Sequence, residues 1–162
     1  MSGSTEHWAS GASERSGRRE VVLNLGTARR MLPLVAHIVA DLLERQRRQE
    51  RLAVERDRLE QKRRSLSWSE QKQIYRLQDE IKEQEQGIAA ACDELDQLGV
   101  ALIEPAEGRV GLPTVVNGHL AYFSWRPGDE GLRHWHFAGE MVRRTIPASW
   151  KDAGDIRLIG KS

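Results

Sequence analysis

Residues 67–99 decide the fold, and they read SWSEQKQIYRLQDEIKEQEQGIAAACDELDQLG. Their apolar residues recur at alternating spacings of three and four, which is the heptad pattern of a helix that packs against another helix. One position of this seam is polar, Gln84, and the others are Ile74, Leu77, Ile81, Ile88, Ala91, Leu95 and Leu98. The stretch therefore predicts a long helix with one narrow apolar face.

A similar pattern precedes it, from Val35 to Leu66, but charged and amide side chains hold half of its core positions. Ser67 and Glu70, three residues apart, form a capping-box pattern at the start of the second helix. The break between the helices is too short for anything but a reversal of the chain. We therefore predict a long antiparallel two-helix coiled-coil hairpin, with arms about 45 Å long at ~1.5 Å per residue.

The two helices carry opposite charges on their flanks. The first is rich in arginine between residues 45 and 64, whereas the second carries Asp79, Glu80, Glu83, Glu85, Asp93, Glu94 and Asp96. Opposite charges favour this pairing over self-pairing of either helix. The half-polar seam should leave several apolar residues incompletely covered by one partner, namely Leu52, Leu59, Ile81 and Ile88. We therefore expect a homodimer whose arms pack into a four-helix arrangement.

Composition limits the classes of partner. The chain has 162 residues, a formal net charge of +1 and 30% charged residues. Nucleic-acid and membrane partners usually need a surface of one sign, so neither is indicated. No apolar run approaches the ~20 residues of a membrane span, and residues 1–19 lack the apolar core of a signal peptide. A cytoplasmic protein is expected, and its one cysteine, Cys92, is expected to be a packing residue.

The sequence divides into four segments: a disordered tail at 1–19, the helical hairpin at 20–98, a small antiparallel β-sheet at 99–140 and an irregular tail at 141–162. After Gly99 the pattern becomes strand-like, and Asn117-Gly118 is the dipeptide most favoured in two-residue hairpin turns. Three or four strands are predicted, one face of which should cover the apolar base of the first helix around Met31, Val35 and Val39. The fold class is α+β.

Strand alternation indicates which face of the sheet is buried. A register that aligns Phe123 and Trp125 with Trp135 and Phe137 buries more aromatic surface than a slip by one residue. In that register His134 and His136 lie on the second face, near Tyr122.

These motifs resemble those of a small bacterial family, domain of unknown function 2203. The resemblance covers roughly residues 21–136: Leu23-Asn24-Leu25, Ala28, Leu32-Pro33, two charged helices, Leu98-Gly99, a Trp-x-x-Gly-acid motif at Trp125–Asp129, and Trp135-His136. The C-terminal motif is the more specific part, because charged heptads resemble one another widely. The family brings no established activity.

The chain departs from the family pattern near its C-terminal motif. Ser124 stands where members tend to have cysteine, and Asp129 where they have glutamate. A longer acidic, glycine-rich segment with an arginine is missing after Trp135-His136, so Arg143 or Arg144 is a candidate for the role of that arginine.

The chemistry-bearing residues gather in one strand-loop-strand unit. We single out a tentative ligand site at Trp125, Arg126, Asp129, His134 and His136, in which Arg126 would meet a carboxylate or phosphate. The two histidines could instead hold a metal with His119, Asp129 or Glu130. A structural interpretation also stays open, with surface histidines and an Arg126 ion pair within its own loop. There is no phosphate loop, nucleophile elbow or Cys/His zinc spacing, so no metal, cofactor or catalytic residue is assigned.

Trp68 lies at the tip of the hairpin, far from the predicted core, where it either packs over the reversal against Leu66 or contacts a partner. Three functions stay open. The first is a protein-interaction or assembly module that uses the hairpin. The others are a small-molecule or metal-binding protein, with or without enzyme activity, centred on the sheet, and a nucleic-acid or polymerase-associated factor.

Overall fold

The computed structural model describes residues 22–62 and 64–150. Two helices come first, α1 (Leu25–Glu60) and α2 (Trp68–Gln97). Five strands follow: β1 (Ala101–Glu104), β2 (Arg109–Val116), β3 (His119–Trp125), β4 (His134–Phe137) and β5 (Arg144–Thr145). They form one antiparallel sheet in the order β1-β2-β3-β4-β5, which confirms the α+β class. The predicted disordered tail, 1–19, and residues 151–162 of the predicted C-terminal tail lie outside the described residues.

Both helices begin at a polar cap. The side chain of Asn24 accepts from the amide of Thr27 at 2.7 Å, and that of Ser67 accepts from the amide of Glu70 at 3.2 Å. Of the predicted capping box the structure thus shows the Ser67 half. After α2, Gly99 adopts a φ of 76°, a left-handed conformation that favours glycine and turns the chain into the sheet.

The helices pack antiparallel, and Leu59, Leu77 and Ile81 are buried between them. Their polar positions also meet, because Arg45 Nη1 donates to Gln84 Oε1 at 3.4 Å. Gly87 leaves room for this arginine, since a Cβ there would lie 2.3 Å from Arg45 Nη1. The contact between Arg45 and Gln84 therefore fills part of the half-polar seam between the two helices.

The packing within one hairpin reduces the support for the expected homodimer. One hairpin alone buries Leu59 and Ile81, whereas Leu52 and Ile88 stay half-buried. Two of the four residues that were expected to need a second chain are thus covered without one. The homodimer stays a prediction, and of the four apolar residues only Leu52 and Ile88 still support it.

The main core lies between the base of the hairpin and one face of the sheet. Val35 and Val39 of α1 and Leu95 of α2 pack in one cluster with Leu112 and Phe123 of the sheet. The prediction that the sheet covers the wide apolar base of the first helix is confirmed.

The strand register follows the aromatic residues. Of the predicted alignment of Phe123 and Trp125 with Trp135 and Phe137, the structure shows the pair Phe123–Trp135, whereas Phe137 pairs with Ala121 and Trp125 lies beyond the residues paired with β4. Asn117 and Gly118 both have positive φ in the β2–β3 turn. The sheet is larger than expected, because β2 begins at Arg109 and β5 lies in the segment expected to be irregular. Trp150, beyond β5, is buried with its ring centroid 5.0 Å from that of Trp135.

Candidate functional site

The face of the sheet that points away from the helices, called here the outer face, carries polar side chains. Tyr122 and Ser124 of β3 pair with His136 and His134 of β4. Side chains alternate along a strand, so these four share the face opposite to Phe123 and Trp135. The predicted placement of the two histidines beside Tyr122 is confirmed.

Arg109, at the start of β2, is the unexpected member of this face. The residue is only 6% exposed. Its Nε donates to Ser124 Oγ at 3.3 Å and its Nη2 donates to the carbonyl of Met141 at 3.4 Å. Both acceptors are uncharged, so within residues 22–62 and 64–150 this buried guanidinium has no carboxylate partner. Burial of a charge without a counterion is unfavourable, which makes Arg109 the electrostatic centre of the face.

A second guanidinium reaches the same place from the segment between β4 and β5. The Arg143 side chain is 12% exposed and pairs with the Asp129 carboxylate. The same Nη2 lies 3.2 Å from the carbonyl of Ser124 and 3.1 Å from His134 Nδ1, so its two N–H groups are shared among three acceptors. Arg109, Ser124, Asp129, His134 and Arg143 therefore form one group, called here the arginine cluster.

Of the two arginines considered for the family's arginine, Arg143 is the one that enters the cluster. Arg144 lies outside it, with its guanidinium 5.3 Å from the ring centroids of Trp135 and Phe137 and an ion pair to Glu140 at 3.0 Å. Arg143 and Arg144 therefore lie on opposite faces of the sheet.

The cluster fixes the charge of its titratable members. Burial acts to raise the pKa of Asp129, but hydrogen bonds from Arg143 and from the Arg126 amide outweigh it and lower the pKa below its usual 3.8. Burial and the positive charge of Arg143 lower the pKa of His134 below 6.5, and Asp129 opposes them only in part. Asp129 is therefore an anion and His134 a neutral acceptor near neutral pH.

His136 is 2% exposed and lies beside Tyr122, with 5.8 Å between ring centroids. Its Nδ1 lies 2.8 Å from the carbonyl of Phe137. Because a carbonyl only accepts, Nδ1 carries a proton, and in the tautomer that has this proton alone Nε2 is an acceptor. Among the described residues this buried Nε2 has no hydrogen-bond partner.

The structure brings only part of the predicted ligand site together. Asp129 and His134 meet through Arg143, and His136 follows on the same face. Trp125 is buried on the opposite face, in the main core. Arg126 is half exposed; its Nη1 lies 3.9 Å from a carboxylate oxygen of Glu107, and its Nε lies 3.9 Å from a carboxylate oxygen of Asp129. It borders an open depression of about 490 Å³, which is lined by Glu107, Arg126, Pro127, Gly128 and Asp129.

The alternative metal site lacks a ligand set. In the part of the chain that the structure describes, no three His, Cys, Asp or Glu side chains gather closely enough to hold a metal ion. His119 packs edge-on to the Phe137 ring at 6.2 Å, and Glu130 is exposed beside Arg133.

Trp68 at the hairpin tip is 71% exposed, so the reversal does not cover it. Lys72 Nζ lies 5.4 Å from the centroid of its ring. Tyr75, seven residues further along α2, is also exposed. Two helical turns separate these aromatic residues, which places them on one side of α2, opposite to the buried Leu77 and Ile81.

The structure thus defines a class: an α+β protein in which a helical hairpin stands on a five-stranded sheet with a buried arginine cluster on its outer face. The model of the family described as "Uncharacterized conserved protein (DUF2203)" matches residues 22–146. The chain belongs to this family, as the motifs indicated. Comparisons with curated proteins and with solved structures gave no match. Neither described helix is long and apolar enough to cross a membrane.

Proposed function

We propose that the protein is a protein-interaction module whose hairpin tip, residues 60–76, docks onto an acidic surface of another protein. The observation that carries the proposal is the 71% exposure of Trp68 at the start of α2. Tryptophan is enriched among the residues that dominate binding energy at protein interfaces. A large indole held in water by a well-formed helix has no role in the core of this chain, since the core lies at the other end of the hairpin.

Charge supports an acidic partner. The tip contains five cationic residues against two acidic ones, although the whole chain carries only +1. The cationic residues are Lys62, Arg63, Arg64, Lys72 and Arg76, and the acidic ones are Glu60 and Glu70. Lys72 lies against the indole, so one residue pair offers both an apolar anchor and a positive charge. A second copy of this chain fits the tip less well, because two basic tips repel each other.

The experiment compares two positions of equal exposure. A photoreactive amino acid is placed at Tyr75, which is 67% exposed on the same side of α2 as Trp68, or at Val54, which is 69% exposed on the side of α1 that faces away from α2. The proposal expects a discrete protein adduct from position 75 and none from position 54.

The captured protein is then purified and its affinity measured. Trp68→Ala should weaken binding about thirtyfold, as a loss of ~2 kcal/mol at a central anchor implies, and Val54→Ala should leave it unchanged. Binding should also weaken as salt is raised. Equal adducts at both positions, or equal affinities of the two variants, would overturn the proposal. An adduct with nucleic acid would instead favour the nucleic-acid function.

A further inference from the structure

The arginine cluster holds an excess of positive charge. Arg109 and Arg143 contribute two guanidinium groups, Asp129 contributes one carboxylate, and His134 is neutral. The carboxylate bonds to Arg143, so the excess charge falls on Arg109, which the described residues supply only with neutral acceptors.

We propose that the outer face of the sheet binds a small oxyanion between Arg109 and Arg143, and that this ligand also carries a hydroxyl group that donates to His136 Nε2. The site is separate from the hairpin tip and does not depend on the interaction function. Its ligand class is a small hydroxylated carboxylate or phosphate.

The present hydrogen bonds of Arg109 are long for a guanidinium group. At 3.3 and 3.4 Å they exceed the usual 2.7–3.2 Å of N–H···O bonds. An oxyanion forms shorter, charge-assisted bonds with a guanidinium and can accept two of them side by side. The Met141 carbonyl belongs to the segment that joins β4 to β5, so a ligand would replace a backbone acceptor of a connecting segment rather than part of a strand.

His136 supplies the second, independent indication. A buried polar atom without a partner is uncommon in native structures and calls for an explanation. His136 lies two residues from His134 on the same face, about 7 Å along the strand. An oxyanion bound to the arginine cluster and a neighbouring hydroxyl of the same ligand can span such a distance, so the proposal expects that hydroxyl to meet His136 Nε2.

The test titrates the whole protein with sodium phosphate, acetate and glycolate, each against sodium chloride at matched ionic strength. Binding is followed by calorimetry and by the thermal unfolding midpoint, which a ligand of the native state raises. Phosphate or a carboxylate should raise the midpoint where chloride does not, and the two classes are told apart by their affinities. Glycolate should bind more tightly than acetate, from which it differs by one hydroxyl. No preference for any oxyanion over chloride would overturn the site, and equal affinities for glycolate and acetate would overturn the role of His136.

The variants locate the site. Arg109→Gln should weaken binding at least about tenfold, as the loss of one charge-assisted hydrogen bond implies, and Arg109→Lys should weaken it less. Arg126→Gln is the matched control, because it removes the same charge from a half-exposed arginine nearby and should leave affinity unchanged. His136→Phe should abolish the preference for glycolate while acetate still binds. Loss of binding in Arg126→Gln but not in Arg109→Lys would move the site to the loop and refute the proposal. If Arg109→Gln does not fold, Arg109→Lys and the anion titrations of the unaltered protein still test whether the arginine cluster binds an oxyanion.

Discussion

Replacing Gly108 with alanine measures how tightly the turn between β1 and β2 packs on the hairpin. Gly108 has a φ of +71°, and a Cβ there would lie 2.7 Å from Val39 Cγ1 and 2.9 Å from Leu43 Cδ1. Val39 is fully buried in the main core, so it has little room to move away. The substitution therefore carries a backbone cost and a packing cost.

The two costs can be separated with a second glycine. A left-handed conformation costs an alanine about 1–2 kcal/mol, and overpacking a tight core costs about 1–3 kcal/mol. Gly118→Ala carries only the first cost, because Gly118 has a φ of +76° and a Cβ there would meet nothing within 4 Å. We expect Gly108→Ala to lose about 2–5 kcal/mol of unfolding free energy and Gly118→Ala about 1–2 kcal/mol.

Urea denaturation, with unchanged m values, gives the two free energies. Equal losses of unfolding free energy from both substitutions would show that Val39 and Leu43 do not pack closely against Gly108. The close packing of the β1–β2 turn on α1 would then be refuted.

Three further predictions concern the seam, the arginine cluster and the oligomeric state. Ile81→Asp should lower helical content and stability far more than Glu83→Lys, because it removes ~1.5–3 kcal/mol of apolar burial and buries a charge, whereas Glu83 is exposed and interactions between exposed charges contribute only ~0.2–1 kcal/mol; equal losses in circular dichroism melts would put the seam out of register. Because the pKa of His134 is lowered in the folded chain, the unfolded chain binds a proton more readily than the folded chain as pH falls through 6.5, so urea titrations should show stability falling with pH there, and His134→Gln should remove part of this fall; an unchanged slope would contradict the assignment. Below 3.8 the stability that the lowered pKa of Asp129 provides should be lost as well. If the predicted homodimer forms, light scattering should give a molecular mass of twice 18.4 kDa. A mass of 18.4 kDa would refute the homodimer and would leave the hairpin tip available to another protein.

Much of the fold could be predicted because it depends on local patterns. The three-and-four spacing identified Leu77, Ile81 and Leu95, which are all buried. Asn117-Gly118 identified the turn between β2 and β3, and aromatic alternation identified the face that Phe123 and Trp135 share. Each of these signals lies within one element or one pair of adjacent strands.

The candidate site was harder to predict because it is assembled from distant segments. Gly108, Gly111 and Pro113 interrupt the apolar pattern, so the second strand was not extended back to Arg109. Gly111 is needed there, since a Cβ would lie 2.9 Å from the Tyr122 ring. One signal was present: in a strand that begins at Arg109, the apolar residues Val110 and Leu112 share one face with Thr114, so Arg109 falls on the other face.

Arg143 could be named as a candidate but not placed. Its position depends on the segment between β4 and β5 turning back across the outer face, and that turn has no heptad or alternation to reveal it. Arg126 is a candidate from the sequence because it precedes Asp129 by three residues, and in the structure it lies near both Asp129 and Glu107 but is half exposed and outside the arginine cluster.

Hydrogen exchange along the hairpin tests most directly the claim that the sheet covers the base while the tip stays free for a partner. Amides of residues 35–42, at the base of α1, are covered by α2 and by the sheet, and exchange there should require the largest opening. Amides of residues 68–77 lie where α2 packs on α1 alone and Trp68 faces solvent, so their protection should be clearly lower. Protection that falls steadily from base to tip is the expected result. Protection at residues 68–77 equal to that at residues 35–42 would show that something already covers the tip in the free protein, and would contradict the account.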